Sequence, residues 1–467
     1  MMESQQHPLN VHLLAAASAA RPPSRLTPVL KFIVVTYLLG MLVLSVEQFL
    51  TLPSNLSLVD FWNLTFLPVC WWYLFRIRQT VRFPYLFGMW FILLGSCIGA
   101  LFAFDPLASI IFITKEFYLY VWFVTLAAVF ASLEPGLLRR VLLVWTAVVV
   151  LHGVLLVAEF VSPNFYGFMI SVLGSVGGVD VRYIGRPSGL FLNPVWAALF
   201  QLMGFVPLLL GGLRRELSLL LGTVLLLSIL ATASLGALSA LLGASVVAVL
   251  LLLFMGGHLK FLVWLAAVVT LAAGLFLFTI SQYPDVLARL EHLTTERAAG
   301  TTEDRLELSG NGSEALFSKT SILGVGPDNY RDALVNKTLH NDFLEFGVER
   351  GVIGLLGLVL FAVGSMSSAV KILLNQNKFR DAARPSGVIF LAMLAAALIE
   401  SQAHQIFHFR VLWLGLALQE ATLFRMMSPS VEAAVARRVG LWGERLQSPE
   451  KSSPLTDRCD PSSVEME

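Results

Sequence analysis

His340 stands in the stretch TLHNDFLEFGVERGVIG, followed by Asn341, Asp342, Glu345 and Glu349 and then by an apolar run from Gly351. Imidazole has an unperturbed pKa of about 6.5, so a histidine held beside carboxylates near a membrane boundary can accept a proton at neutral pH. The same spacing also suits an interfacial histidine whose hydrogen bonds are all satisfied. Arg186, in YIGRPSGLFLNPVWAALF, precedes another apolar run, where Pro187 and Gly189 set a turn able to hold a guanidinium at the surface. Its planar, permanently charged fork matches a pair of phosphate oxygens. The other reading of Arg186 is an arginine that snorkels to the interface along its aliphatic stem. Arg305, in TTEDRLELSGNGSEALF, has the same two readings, and its neighbours Glu303, Asp304 and Glu307 also suit a solvated, salt-bridged helix start.

Other polar patterns point away from familiar chemistries. GVGPDN (324–329) lacks the full GxGxxG and its strand-to-helix context, so it reads as a tight turn. His404 and His408, in HQIFH, would share a face if helical, but Gln405 stands where a zincin carries glutamate and two further metal ligands are missing. Both histidines fall at the same expected outer face as His340, where an accessory role is open to them. Cys70 and Cys97 lie in apolar runs and Cys459 near the end, a spacing that makes neither a metal site nor a disulfide framework. Neither a metal nor a cofactor is expected.

The elements that must position these residues are membrane helices. Hydrophobic residues make up 57% of the chain and charged ones 13%, with a mean hydropathy of +0.76, against roughly 25% charge in a soluble domain. Apolar runs of about 18 residues or more recur between Val29 and Arg425, too long for barrel strands, and a backbone in lipid must satisfy its own hydrogen bonds. The expected fold is therefore all-α and polytopic, with about twelve spans. They are placed near 29–50, 57–75, 84–104, 109–131, 140–161, 189–210, 216–233, 236–255, 260–280, 351–373, 386–404 and 409–426, the pair at TASLG (232–236) being two helices joined by a tight turn.

Charge sets the orientation. Arg21 and Arg25, Arg76, Arg78 and Arg82, Arg139 and Arg140, Arg214 and Arg215, Lys260, Lys371 to Arg384, and Arg425 onward fall in alternate loops, which puts both termini in the cytoplasm. Two opposite loops carry cations nonetheless: 162–188, with Asp180, Arg182 and Arg186, and the long loop 281–350, with Arg289, Arg297, Arg305, Lys319 and Arg331. A long loop translocates largely regardless of charge; a short one does not, which makes Arg186 the more telling residue. The organisation read from this is a leader at 1–27, a membrane domain at 28–426 and a cytoplasmic tail at 427–467, first amphipathic and then disordered. The leader carries Glu3 and no basic residue ahead of its short apolar stretch, against a cleaved signal. A net charge of +1 points to no nucleic-acid partner.

At these residues the chain resembles the O-antigen ligase and polymerase superfamily of bacterial membrane glycosyltransferases. The resemblance rests on RPSGLFLNPVWAA, RLELSGNGSEALFSKTSILGVGPDNY and LHNDFLEFGVERGVIGLLG, in that order, and extends with the span pattern from Thr27 to Arg425. It implies an inner-membrane enzyme that moves a glycan from undecaprenyl diphosphate to an acceptor at the periplasmic face. Arg186 and Arg305 resemble the family's essential arginines and His340 its essential histidine, with Arg182 in a supporting place. Many members carry an arginine after the serine of the inter-span turn; this chain has Leu235 there, and Arg289 or Arg297 is an alternative to Arg305.

Such a donor stores its energy in the glycosyl-diphosphate bond, so the protein need only bind the diphosphate, orient the acceptor hydroxyl and handle one proton. The expectation is a metal-independent, inverting transfer with His340 as general base, oriented by Asn341 or Asp342. A ligase acting on lipid A-core oligosaccharide is favoured on the compact loop and span number. The alternatives are a polymerase whose acceptor is another lipid-linked glycan, a transferase to protein and, more distantly, a transporter or flippase. A transporter would need ionisable residues along a mid-membrane path, where this sequence offers only Lys115, Glu116 and Glu159.

Overall fold

The computed structural model describes residues 26–44, 57–177, 186–191, 193–255, 259–282, 310, 322–330, 341–375 and 386–427. His340, Arg182, Arg289, Arg297 and Arg305 lie outside the described residues, as do most of the long loop, the leader before Leu26 and the tail after Met427.

The regular elements among the described residues are all helices: α1 (Leu26–Leu44), α2 (Leu58–Arg76), α3 (Leu86–Ala100), α4 (Pro106–Ser132), α5 (Pro135–Val161), α6 (Pro163–Gly177), α7 (Pro194–Leu210), α8 (Arg215–Ala231), α9 (Leu235–Met255), α10 (Leu259–Gln282), α11 (Asp342–Asn375), α12 (Ser386–Glu400) and α13 (Arg410–Met426). Each of the twelve expected spans overlaps one of these helices. Among the described residues four, α4, α5, α9 and α11, are long and apolar enough to cross a membrane by length and composition, and several shorter helices are equally apolar. One expected boundary differs: the loop expected at 162–188 contains α6, started by Pro163. α11 is broken at Gly351 (φ +65°, ψ −170°), so its apolar part begins where the span near 351 is expected, and a helical stretch at 342–350, whose charged side chains are buried, precedes it.

Local chemistry explains where helices begin. Asp105 caps α4 by accepting from Leu107 N and Ala108 N at 3.0 Å each, with Pro106 in the first helical position. Asn193 does the same for α7, accepting from Val195 N at 2.9 Å ahead of Pro194. A side-chain oxygen satisfies an otherwise orphaned N–H, and proline loses nothing where no intrahelical donor is needed.

Two seams of small residues bring helices together. On α3, a Cβ at Gly95 would sit 2.5 Å from Gly354 N and 2.6 Å from Arg350 O of α11, so only glycine permits this approach. On α9, Ala237, Ala240, Ala244 and Ala248 are buried along one stripe, and Gly243 lies against Ile399 of α12. Large apolar side chains such as Phe32, Phe75, Phe87, Trp90, Leu242 and Phe254 face outward, as the surface of a lipid-embedded bundle requires. Residues Met1–Leu423 form one compact unit; of a second, Phe424–Glu467, only 424–427 is described.

Candidate functional site at one end of the helix bundle

The segment before α7 folds inward instead of lying across the bundle. Ser188 N and Gly189 N donate to Glu159 Oε2 of α5 at 2.9 and 3.0 Å, and Leu190 N donates to His152 Nε2 at 3.2 Å. Gly189 has φ +58°, and a Cβ there would stand 2.3 Å from His152 Nε2, so no side chain fits. This anchoring aims Arg186 at the end of α8. Half-buried, it donates from Nε to Thr232 O at 3.0 Å and from Nη2 to Ala233 O at 3.3 Å. Those carbonyls belong to the TASLG turn, which joins α8 to α9 as two separate helices, with Ala233 at φ +49°. A helix C-terminus carries partial negative charge, so the guanidinium is held there electrostatically as well as by its fork.

The start of α11 meets the turn between α12 and α13. Asn341 Oδ1 caps α11 by accepting from Phe343 N and Leu344 N at 2.9 and 3.1 Å, while its Nδ2 donates to Gln402 Oε1 at 3.0 Å. Asp342 N donates to Ser401 O at 2.9 Å, and Asp342 Oδ2 accepts from Ile406 N and Phe407 N at 3.0 and 3.2 Å. Asn341 is thus occupied by the architecture, and one oxygen of Asp342 likewise. Asp342 Oδ1, buried, has no hydrogen-bond partner among the described residues.

His404 and His408 are not on one helical face, because 401–409 is a turn rather than a continuation of α12. His404 bends back so that Nδ1 meets Glu400 Oε1 at 2.5 Å, with Glu400 at zero exposure and the His404 side chain at 12%. His408 goes inward, edge-on to Phe112 with ring centroids 4.8 Å apart. Burial, reinforced by the positive charges of Arg350, Lys115 and Arg410, pushes its imidazole down to about 3 and keeps it neutral. The Glu400 carboxylate also touches the TASLG turn: a Cβ on Gly236 would lie 2.7 Å from its Oε1. Arg186 thus lies on the 232–236 turn and Glu400 beside Gly236 of the same turn, with His404 on Glu400, while Gln402 of the 401–409 turn is bonded to Asn341.

Residues 219–359 match the family described as O-antigen ligase. This match, over less than a third of the chain, supports membership of the O-antigen ligase and polymerase family. That family is a group of glycosyltransferase-like enzymes whose substrates are, in general, a lipid-linked glycan and an acceptor, and the match together with the apolar helices supports a membrane protein. No curated protein matches the chain. The matched stretch contains the 232–236 turn, Arg305, His340 and the start of α11, whereas Arg186 and the α12–α13 turn lie outside it.

At the start of α11 lies a charged cluster that sequence spacing did not expose. Arg350 is fully buried and donates to Glu116 Oε1 of α4 from Nε at 3.1 Å and from Nη2 at 2.7 Å, and to Glu349 Oε2 from Nη1 at 3.2 Å. Its guanidinium also lies over the Phe346 ring, 3.9 Å from the centroid. Ser96 Oγ of α3 donates to Glu116 Oε2 at 3.0 Å. The only available signal was an arginine in GVERGVIG at the edge of an apolar run, together with Glu116 inside another. GVGPDN forms the expected turn and serves as a clamp on this cluster: Asp328 N donates to Glu349 Oε1 at 3.1 Å, and Asn329 Nδ2 donates to Ser109 Oγ at 2.8 Å. Among the described residues no group of three or more His, Cys, Asp or Glu is arranged to hold a metal ion.

Proposed function

We propose that the chain transfers a glycan from undecaprenyl diphosphate to an acceptor hydroxyl at the periplasmic face of the inner membrane, most simply as a ligase acting on lipid A-core oligosaccharide. The observation that carries this reading is that Arg186 and Glu400 both lie at the 232–236 turn, with the 401–409 turn after Glu400 bonded through Gln402 to Asn341, in a chain whose residues 219–359 match the O-antigen ligase family. Arg186 binds the donor diphosphate, its fork stabilising the charge that grows on the leaving oxygens, with Arg305 as its partner and Arg182 in support. His340, immediately before Asn341, removes the proton of the acceptor hydroxyl as the anomeric centre inverts and the diphosphate departs with the bonding electrons. Asp342 Oδ1, buried and without a described partner, is the oxygen suited to orient it. The twelve helices that coincide with the expected spans cross the membrane, with both termini in the cytoplasm.

The transporter alternative is weighed down by how the buried ionisable groups are used. Glu116 is taken up by Arg350 and Ser96, and Glu159 by the backbone of 188–189, so neither lines a path. The test is transfer by the purified full chain from an undecaprenyl diphosphate-linked oligosaccharide to lipid A-core oligosaccharide, normalised to folded protein. His340→Ala is expected to lower turnover roughly 10² to 10⁴-fold with donor affinity largely kept. Arg186→Lys, which retains charge but loses the fork, is expected to weaken the donor. Extension of the donor glycan instead of a single transfer would assign polymerase activity, and normal turnover in both variants would remove the mechanism.

A further inference from the structure

Of the three ionisable residues that the sequence sets inside apolar runs, Glu116 and Glu159 have their partners and Lys115 does not. It lies on α4, about 14 Å along the helix from Pro106. It is half-buried and makes no ion pair or hydrogen bond among the described residues, and its ammonium is not sealed in the interior. The adjacent acid does not serve it. Both oxygens of Glu116 are taken, by Arg350 and by Ser96, and successive side chains on a helix point about 100° apart. A cation within a span is costly and nearly always has a partner, so the missing one needs a reason.

The groups around Lys115 bring a second cation rather than an anion. Tyr118 Oη, one turn on, lies 3.4 Å from Asp60 Oδ1 of α2. Asp60 is already held by Arg410 of α13, from Nε at 2.9 Å and from Nη2, and by Ser57 N and Oγ at 2.9 and 3.0 Å, so its charge is matched. These contacts set Lys115 close to the level at which α2 and α13 begin. The Arg410 side chain is 24% exposed, and its Nη1 has no partner among the described residues. Lys115 and Arg410 both act electrostatically on His408, which stands edge-on to Phe112 of α4. Two cations held near one another repel unless they share an anion. A lysine that only snorkels to the interface gains nothing from that neighbour.

The adjoining side of α4 is apolar. Leu107, Ile110, Ile111 and Phe117 are between 43% and 66% exposed and form one stripe, with Lys115 at its edge, one turn from Ile111. An unmatched ammonium and an open guanidinium nitrogen beside an outward apolar stripe complement an amphiphile with a phosphate head and hydrocarbon chains.

We infer that Lys115, with Nη1 of Arg410, binds the phosphate of a membrane lipid whose acyl chains lie along the exposed stripe of α4. This site is independent of the glycan-transfer reading.

The test follows the unfolding midpoint of the purified full chain in neutral detergent, titrated in turn with dioleoyl phosphatidate, dioleoylglycerol and inorganic phosphate. Phosphatidate is expected to raise the midpoint saturably and the other two are not, because a ligand of the folded state stabilises it by mass action. Lys115→Met should raise the half-saturating phosphatidate concentration by about 10-fold or more, and Lys115→Arg by less than about threefold. Without lipid, the Lys115→Met midpoint should equal or exceed that of the unmodified chain, since no hydrogen bond or ion pair is lost. Arg410→Lys keeps a charge for Asp60 but loses the second nitrogen, and should weaken phosphatidate whatever its own starting midpoint. Unchanged phosphatidate affinity in Lys115→Met overturns the inference, and unchanged affinity in Arg410→Lys overturns the two-cation site. An equal response to dioleoylglycerol would show that the chains alone bind, and an equal response to inorganic phosphate would show a site for a free anion; either result overturns the assignment to a lipid phosphate.

Discussion

Replacing Arg350 should be far more damaging than replacing either of the acids bonded to it. The guanidinium has no exposed surface and is shared between Glu116 of α4 and Glu349 of its own helix, with Glu345 and Asp342 buried on the same turns of α11. Arg350→Met keeps the volume of the stem and its packing on Phe346, but leaves Glu116 and Glu349 as buried carboxylates without a counter-ion. Breaking a buried pair from one side costs about 3–5 kcal/mol. Glu116→Gln leaves an amide oxygen able to accept from Arg350 Nε and Nη2, and Glu349 still balances the charge, so its cost is closer to 1–3 kcal/mol. At roughly 2–4 °C per kcal/mol, Arg350→Met should lower the unfolding midpoint of the purified chain by roughly 6 °C or more, with Glu116→Gln clearly above it. Combining the two should cost less than their sum, since the second change removes a charge that the first had stranded. The assay is thermal unfolding in a single detergent at neutral pH, read by tryptophan fluorescence and by loss of the monodisperse peak. An Arg350→Met midpoint equal to or above that of Glu116→Gln would refute the reasoning, and full additivity would show that the two residues are not coupled.

Gly351 has φ +65° and ψ −170°, a region essentially reserved for glycine, and a Cβ there would lie 2.4 Å from Ile322 O. Gly351→Ala is therefore expected to cost at least about 1–3 kcal/mol and to reduce inserted protein, while Gly274→Ala, with nothing within 4 Å, should be neutral or slightly stabilising in the same expression and melting assays. His408, held neutral in the fold with its pKa at about 3, gains protons on unfolding once the pH falls below its ordinary value near 6.5. Its contribution is thus complete above about pH 6.5 and declines by up to about 1.4 kcal/mol per unit between pH 6.5 and 3. His408→Phe should flatten that part of the melting-temperature profile, and an unchanged slope would count against the assignment. For orientation, a cysteine placed at Ser318 is expected to react with an impermeant reagent in intact cells and one at Ser448 is not; the reverse pattern would invert every site assignment.

The hydropathy pattern by itself gave the all-helical expectation, which the described residues meet, and it located twelve runs that overlap helices among them, because burying a backbone in lipid leaves few other options. The caps at Asp105, Asn193 and Asn341 act within two or three residues of themselves, but hydropathy located the spans without them, and Asn341 was expected to orient His340. Family likeness drew attention to Arg186 and His340, and the turn at 232–236 was readable from TASLG alone. What tertiary structure decided was which distant residues share an end of the bundle. No spacing places Arg186 on Thr232 O, or Glu400 against Gly236, because these meetings depend on how helices separated by tens to hundreds of residues pack through glycine and alanine seams. The two histidines of HQIFH show the same limit: their separation by four suggested one face, but α12 stops at Glu400 and the turn sends His404 to a carboxylate and His408 into the core. Arg350 is the plainest case. A charge inside an apolar run announces only that a partner is needed, and the partner, Glu116, comes from a helix 234 residues away.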